Sequence, residues 1–201
     1  MRRFDSATLL FLVACSGGEI DVGGPCQWTC PTLPVTAVCV GDPVLDTGAS
    51  GCDVGDALPG VFLADCCGRL TSMADLVCRH RALVIELGAG WCQECREQAP
   101  TQVAWHSEYA GQGLGVVTVL KETDTAGAPA NREFCACWGE DYAVPYSLLI
   151  DPADELTTRC APALPTTLVV DANGRIVSKV VGGDVAEIEA SFQEVLEGSR
   201  R

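Results

Sequence analysis

The chain has 201 residues, 48% of them hydrophobic, which is enough to bury the core of one α/β domain and leave an additional segment. Its formal net charge of −14 argues against a nucleic-acid partner, because phosphate binding needs a basic surface. Thirteen cysteines indicate an oxidising compartment, and no apolar run has the length of a membrane-spanning helix.

The amino terminus has the pattern of an export signal. Two arginines follow Met1, and a short apolar region at 7–14 ends directly before Cys15. This resembles a bacterial lipoprotein signal, in which the chain is cut before the cysteine and the cysteine is acylated. We therefore expect a signal peptide at 1–14, a lipid anchor on Cys15 and a periplasm-facing place in the cell envelope. By the same resemblance Ser16 favours the outer membrane. An ordinary secretory signal, or a cytosolic start with a chance cysteine, remains an alternative.

The next segment, 15–57, is rich in Gly, Pro, Thr, Asp and Cys and sustains neither a helical nor a strand period. It contains Cys26, Cys30, Cys39 and Cys52. Such a segment cannot build a core, so we predict a loop-like tether stapled by disulfides. A zinc knuckle is the sharper alternative, and the absence of a nearby histidine disfavours it.

The folded domain is predicted at 58–201, with a hairpin and a short helix before its core strands. The predicted strands are 61–64, 69–71, 82–87, 115–120, 146–150, 167–170 and 175–181, and the predicted helices are 72–76, 92–109, 130–138 and 184–196. The apolar strands 82–87 and 115–120 are separated by a helix, which predicts a parallel crossover. We expect an α/β fold with a central mixed sheet flanked by helices.

The stretch Trp91-Cys92-Gln93-Glu94-Cys95 follows the strand 82–87 and opens a helix. Two cysteines three apart on a first helical turn lie side by side, so they can form and release a disulfide. The free N–H groups and the positive end of the helix dipole favour a thiolate on Cys92. We predict that Cys92 attacks a disulfide of another protein and that Cys95 resolves the mixed disulfide. A structural disulfide would not need Trp91 or the buried strand before it.

These residues carry a family resemblance. The W-C-x-x-C pattern with Pro100 five residues beyond, and Leu164-Pro165-Thr166 before another apolar strand, resemble the thioredoxin superfamily. The order of the motifs most resembles its TlpA-type, AhpC/TSA-redoxin-like periplasmic thiol–disulfide oxidoreductases. The resemblance implies a thioredoxin-like fold, a cis peptide bond before Pro165 that helps to present the substrate, and no cofactor or metal besides the redox-active disulfide.

Two acidic side chains near the cysteines are candidate supporting residues. Glu86 lies five residues before Trp91, where thioredoxins carry a buried acid that helps to deprotonate the resolving cysteine. A strand end turned toward water would explain the same acid. Glu94 places negative charge beside the Cys92 thiolate, which disfavours reduction of the disulfide and indicates a reductant. TlpA-type proteins more often carry a glutamate three residues after the second cysteine, where this chain has Gln98. We therefore expect Glu86 to take the proton-handling role of that glutamate.

The number of remaining cysteines predicts how many structural disulfides the chain forms. Removing Cys15 and the CxxC pair from thirteen leaves ten, an even number that predicts five further disulfides. Proximity in the inferred fold favours Cys66 or Cys67 with Cys78. It likewise favours Cys135 or Cys137 with Cys160. A second redox relay through Cys135 and Cys137 is the less favoured alternative to plain staples.

The sequence thus predicts a membrane-tethered thiol–disulfide oxidoreductase that exchanges disulfides with envelope proteins, in the reductase direction, and takes electrons from an upstream donor. A peroxiredoxin-like antioxidant would need a threonine or serine three residues before its peroxide-reacting cysteine, and this chain has Ala89 three before Cys92 and Cys92 three before Cys95. A copper chaperone would need three residues between its cysteines and a later histidine ligand, but the two histidines, His80 and His106, both lie far before the cis-proline loop. A disulfide-clamped surface lipoprotein whose CxxC is never cycled remains the non-enzymatic alternative.

Overall fold

The computed structural model describes residues 26, 28–31, 39, 43–46 and 51–198. The predicted signal segment 1–14 and the predicted lipid site Cys15 lie outside the described residues. The boundary between tether and domain at 57/58 stays a prediction.

Seven strands and five helices make up the described domain. The strands are β1 (Phe62–Asp65), β2 (Leu70–Ser72), β3 (Ala82–Gly88), β4 (Leu114–Leu120), β5 (Ser147–Ile150), β6 (Thr166–Asp171) and β7 (Ile176–Val181). The helices are α1 (Met73–Cys78), α2 (Gln93–Tyr109), α3 (Arg132–Asp141), α4 (Thr157–Cys160) and α5 (Val185–Gly198). The sequence predicted each of these except α4.

The strands form one mixed sheet in the order β2-β1-β5-β4-β3-β6-β7. β3 pairs in parallel with β4, which pairs in parallel with β5, while β6 runs antiparallel to β3. The crossover from β3 to β4 contains α2, so the predicted parallel unit is confirmed. The predicted fold class, a mixed sheet flanked by helices, is confirmed.

Local sequence fixes the helix starts and the last hairpin. The hydroxyl of Ser72 accepts from Ala74 N–H, as expected of an N-cap, and Asp184 caps α5 through Glu187 N–H. At the β6–β7 turn Gly174 has φ +83°, a conformation that favours glycine.

The two faces of the sheet bury two separate apolar clusters. One face packs on α2, α3 and α5, and the other on α1 and α4. β3 lies at the centre and is buried along its whole length, because both faces are covered. Ala82 and Val84 face the α2 side, and strand alternation puts Glu86 on that same side.

Six disulfides join all twelve described cysteines. They link Cys26 to Cys137, Cys30 to Cys67, Cys39 to Cys78, Cys52 to Cys160, Cys66 to Cys135 and Cys92 to Cys95. The predicted number of five disulfides besides the CxxC pair is therefore confirmed. The four cysteines of the amino-terminal segment are all bonded to the domain, so they are not the ligands of a zinc knuckle.

The predicted pairings within the domain were wrong. Cys78 bonds Cys39 and Cys160 bonds Cys52, while Cys66 bonds Cys135. The reason lies in the sheet order: β1 pairs with β5, and α3 packs on β5, so the β1–β2 turn meets α3. The guanidinium of Arg132 at the start of α3 donates to the carbonyls of that turn.

Two remaining expectations concern membrane-spanning helices and metal ligands. Among the described residues, no helix combines the length and apolar character needed to cross a membrane. One group of potential metal ligands, Cys30, Asp65 and Cys67, comes together in the described part of the chain. The two cysteines of this group are bonded to each other, so they offer no thiolate to a metal while oxidised.

Candidate active site at the end of the central strand

The CxxC segment starts where β3 ends. Its connecting loop is fixed by main-chain hydrogen bonds from Gly90 and Trp91 to the carbonyls of Glu122 and Thr123, which follow β4. A Cβ on Gly90 would lie 2.2 Å from the Phe134 ring and 2.7 Å from backbone atoms, so only glycine allows this close approach. The position of the motif is therefore set by backbone contacts to the neighbouring strand.

Trp91 is held at the surface by an acidic side chain. Its indole N–H donates to Glu122 Oε2 at 2.6 Å, and the same oxygen accepts from Gly127 N–H at 2.9 Å. The Gly127 N–H holds the pKa of the Glu122 carboxyl below its usual range, and it is assisted by Trp91 and the Lys121 ammonium. Trp91 is 40% exposed, so its ring borders the approach to the motif without being packed into the core.

The two sulfurs lie at the first turn of α2. Cys92 is the N-cap residue, and its sulfur accepts from Cys95 N–H at 3.2 Å. Cys92 and Cys95 are bonded to each other and are 2% and 0% exposed. The Cys95 N–H and the amino terminus of α2 thus face this sulfur, an environment that stabilises a thiolate on reduction.

The predicted cis peptide bond is present between Leu164 and Pro165. Pro165 is followed by Thr166, which pairs with Leu87 near the end of β3, so the proline loop and the CxxC segment lie at the same end of the sheet. The loop is fixed by a hydrogen bond from Gly182 N–H to the Pro165 carbonyl at 2.8 Å.

A cleft of about 360 Å³ lies between the tryptophan and the segment before the cis-proline. It is lined by Trp91, Lys121, Thr157, Thr158, Ala161 and the residues from Pro162 to Leu164. Its walls are part apolar and part hydroxyl-bearing, and the ammonium of Lys121 is neutralised there by Asp154 at 2.9 Å. The cleft is therefore a partly apolar surface with one paired ammonium, next to Trp91, the residue before Cys92.

Glu86 lies behind the disulfide and is fully buried, which excludes the alternative of a strand end turned toward water. Its Oε2 accepts from the Gln102 amide at 2.5 Å and from the Thr118 hydroxyl at 3.4 Å. Its Oε1 has no hydrogen-bond partner. Burial raises the pKa of this carboxyl from its usual value to about 7, against the lowering effect of the two hydrogen bonds.

The Glu86 carboxyl and the Cys95 sulfur both lie close to Gly88. A Cβ on Gly88 would lie 3.1 Å from Cys95 Sγ and 3.6 Å from Glu86 Oε1. Glycine leaves that position empty, so Oε1 and the sulfur border the same small space. A carboxylate with a pKa near neutrality beside a thiol can accept its proton.

Glu94 and Gln98, the two other polar residues near the cysteines, differ in burial. Glu94 is exposed, and its Cβ lies next to Gly183 in the β7–α5 loop. Gln98, which occupies the position of the TlpA-type glutamate, is buried, and neither its amide nitrogen nor its amide oxygen has a hydrogen-bond partner. Gln98 therefore makes no hydrogen bond to Glu86.

Residues 54–179 match the profile of the AhpC/TSA family, which is more than half of the chain. The chain belongs to the AhpC/TSA family. The predicted resemblance to thioredoxin-like proteins is confirmed by this membership.

The relatives of this AhpC/TSA chain carry related names. It is 22% identical over 144 residues to the thiol-disulfide oxidoreductase ResA of Bacillus cereus, covering 71% of this chain and 78% of that protein. It is 27% identical over 136 residues to ResA of Geobacillus thermodenitrificans, covering 67% and 72%. The solution structure of a thiol:disulfide interchange protein from Bacteroides sp. has the same fold, with a TM-score of 0.57, 19% identity and coverage of 70% and 90%. The prediction of a thioredoxin-like oxidoreductase is confirmed.

The sequence did not single out four side chains that contact the site: Gln102, Thr118, Glu122 and Tyr146. Gln102 had a signal, because it lies seven residues after Cys95 and therefore on the same face of α2, where an amide among apolar residues needs a partner. Thr118 is the one hydroxyl within the apolar strand β4.

Proposed function

We propose that this protein is a thiol–disulfide oxidoreductase of the bacterial cell envelope, with Cys92 as the nucleophile and Cys95 as the resolving cysteine. The observation that carries the proposal is a disulfide at the amino terminus of α2, at the same end of the sheet as a cis-proline loop. The dithiol itself is the redox group, so the reaction needs no cofactor and no metal.

The exchange balances with the groups at the site. In the reduced protein the Cys92 thiolate attacks one sulfur of a partner's disulfide, the S–S bond of the partner breaks, and its second sulfur leaves as a thiolate. Cys95 then gives its proton to the Glu86 carboxylate and attacks the Cys92 sulfur. The mixed disulfide breaks, the Cys92–Cys95 bond forms, and the partner leaves with both sulfurs as thiolates, which take protons from solvent. An upstream dithiol donor returns two electrons.

The reductase direction is proposed from charge. Glu94 lies between the two cysteines and is exposed, so its negative charge opposes the thiolate that forms on reduction. An opposed thiolate makes the disulfide harder to reduce and the dithiol a better electron donor.

The proposed place is a lipid-anchored position facing the periplasm, on the outer membrane by preference, with tether 15–57 and domain 58–201. It is supported by the signal-like residues before Cys15, by Ser16, and by five further disulfides, a number typical of proteins in an oxidising compartment. The partners are then thiol- or disulfide-bearing envelope proteins.

One observation favours the non-catalytic alternative. Cys92 is only 2% exposed, whereas an attacking cysteine must be reached by another protein. In this alternative the pair is a sixth staple of a disulfide-clamped surface lipoprotein.

A redox titration with glutathione separates the two functions, with mass spectrometry of the trapped thiols as the measurement. The oxidoreductase predicts that Cys92–Cys95 alone opens reversibly, in the range of thioredoxin at about −270 mV, while the other five disulfides hold. The double variant Cys92→Ser, Cys95→Ser is the control and should show no reversible opening in this range. A Cys92–Cys95 bond that resists reduction as firmly as the others would reject the enzymatic function.

A further inference from the structure

A buried amide connects Glu86 to two hydroxyl groups. Gln102, fully buried on α2, donates from Nε2 to Glu86 Oε2 at 2.5 Å. Its Oε1 accepts from the Thr118 hydroxyl at 2.9 Å and from the Tyr146 hydroxyl at 3.0 Å. These four side chains come from three strands or strand ends and one helix, and they form one hydrogen-bonded network behind the CxxC disulfide.

The two hydroxyl donors orient the amide. The Tyr146 hydroxyl donates to the carbonyl oxygen, and the single proton of the Thr118 hydroxyl lies closer to that oxygen, at 2.9 Å, than to Glu86 Oε2, at 3.4 Å. The NH₂ group of Gln102 therefore faces Glu86. This bond holds Oε2 on the side of the amide and leaves Oε1 toward the empty position beside Gly88, which Cys95 Sγ also borders. The rotation of the carboxyl is therefore set by residues that do not touch the sulfurs.

We propose that Gln102 is a positioning residue of the exchange reaction: its amide, oriented by Thr118 and Tyr146, aims the free oxygen of Glu86 at the resolving cysteine. The inference rests on the proposed function, because it assigns to Glu86 the proton of Cys95. It concerns residues that the CxxC and cis-proline motifs do not include.

The same network offers Oε2 of Glu86 a partner in both protonation states. When Glu86 is protonated, its Oε2–H donates to Gln102 Oε1 after the amide turns over. The NH₂ group then donates to the hydroxyl oxygens of Thr118 and Tyr146, each of which can accept. A fixed charged donor in place of the amide would stabilise only the carboxylate. The glutamine therefore gives Oε2 a hydrogen-bond partner whether the buried acid is ionised or protonated.

No cation among the described residues contributes to the environment of Glu86. The groups that face it are Thr118 on β4, Thr167 on β6 and Gln102 on α2, with Tyr146 and Tyr142 as the titratable neighbours. Burial raises the pKa of Tyr146, so its hydroxyl stays protonated and remains available as a donor. The amide of Gln102 is thus the main polar contact that favours the ionised carboxyl.

The test is Gln102→Leu in the full chain, with two readouts. The first is the ionisation of Glu86 in the oxidised protein, followed by carbon NMR of the labelled carboxyl against pH. Loss of the donor should move its midpoint upward by about one pH unit. The second is the pH profile of the resolving step, measured as release of a chromogenic thiol from the mixed disulfide at Cys92. Its midpoint should move in the same direction.

Gln98→Leu is the matched control, because it removes a second buried amide from the same helix that has no hydrogen bond to Glu86. It should leave the Glu86 midpoint in place. Tyr146→Phe removes one donor to the Gln102 carbonyl without touching Glu86, so it should shift the midpoint upward by less than Gln102→Leu. It also keeps the inference testable if the leucine variant does not fold.

The two readouts separate the two proposals. A Glu86 midpoint that is the same in Gln102→Leu and Tyr146→Phe as in the parent overturns the role of Gln102. A midpoint that moves while the profile of the resolving step stays fixed confirms that Gln102 tunes the acid. That outcome would remove Glu86 from the proposed exchange mechanism and with it the positioning role.

Discussion

The Cys92–Cys95 disulfide and the five other disulfides use the same bond in two different settings. The CxxC bond closes a loop with a sequence separation of 3 and lies at the start of a helix, in front of a buried acid. The other five have separations of 37 to 111, and four of them fasten the amino-terminal segment to the domain. The CxxC disulfide closes a short loop beside a helix terminus and a buried acid, whereas the other five disulfides close long loops.

Loop length sets what each bond contributes to folding. In the chain-entropy account a loop of four residues contributes about 2 kcal/mol of stability, and a loop of several tens of residues contributes about 4 kcal/mol. The Cys52–Cys160 bond is of the second kind, because even the path through Cys66–Cys135 leaves a loop of about 40 residues. A short loop is suited to a bond that opens in each cycle, because the fold loses little when it opens.

Removing one long-loop disulfide and, separately, the CxxC disulfide tests this difference directly. Cys52→Ala with Cys160→Ala should lower the free energy of unfolding by about 4 kcal/mol and leave disulfide exchange intact. Cys92→Ala with Cys95→Ala should lower it by about 2 kcal/mol and reduce exchange at least a thousand-fold, because the nucleophile is lost. Urea unfolding and the reduction of a small protein disulfide are the measurements.

The matched control is Cys39→Ala with Cys78→Ala. This pair closes a separation of 39 at an exposed position, so its removal should lower stability by an amount near that of the buried long-loop pair without the added loss of core packing. Equal stability losses in all three variants would show that loop length does not distinguish the two kinds of disulfide.

The sequence predicted what depends on neighbouring residues and missed what depends on the assembled sheet. The Cys92–Cys95 pair could be predicted because its chemistry is local to a strand end and a helix start, whereas the cis bond before Pro165 was predicted from the family resemblance of its loop. The partner of Cys66 could not, because it follows from β1 pairing with β5, a contact between segments more than 80 residues apart. The burial of Glu86 could not be predicted either, because it depends on the helices that cover both faces of the sheet.

The buried acid behind the CxxC disulfide should make the stability of the fold depend on pH. Burial raises the pKa of Glu86 to about 7 in the folded chain, above the usual value of 4.5, so the folded state holds a proton that the unfolded state has released. The stability that this proton gives is complete below pH 4.5 and is lost as the pH rises toward 7. The loss amounts to about 3 kcal/mol.

Glu86→Gln should therefore equal the parent in stability near pH 4.5 and exceed it by up to about 3 kcal/mol at pH 8. Urea unfolding of both proteins across this range is the measurement. The same variant should flatten the pH profile of the resolving step. A parent protein whose stability does not fall relative to Glu86→Gln between pH 4.5 and 8 would contradict the raised pKa. The active site would then carry no cost to folding.

The smallest expected effect concerns the charge between the two cysteines. Glu94 is exposed and lies next to Gly183, so solvent screens most of its action on the Cys92 sulfur. Glu94→Gln should make the protein a weaker reductant by about two- to five-fold in the exchange equilibrium with glutathione. The shift should shrink in high salt, because a screened surface charge causes it. Glu97→Gln, one helical turn farther along and also exposed, is the matched variant and should shift the equilibrium less. An equilibrium that Glu94→Gln leaves unchanged would remove the electrostatic reason for the reductase direction and leave it to the donor protein alone.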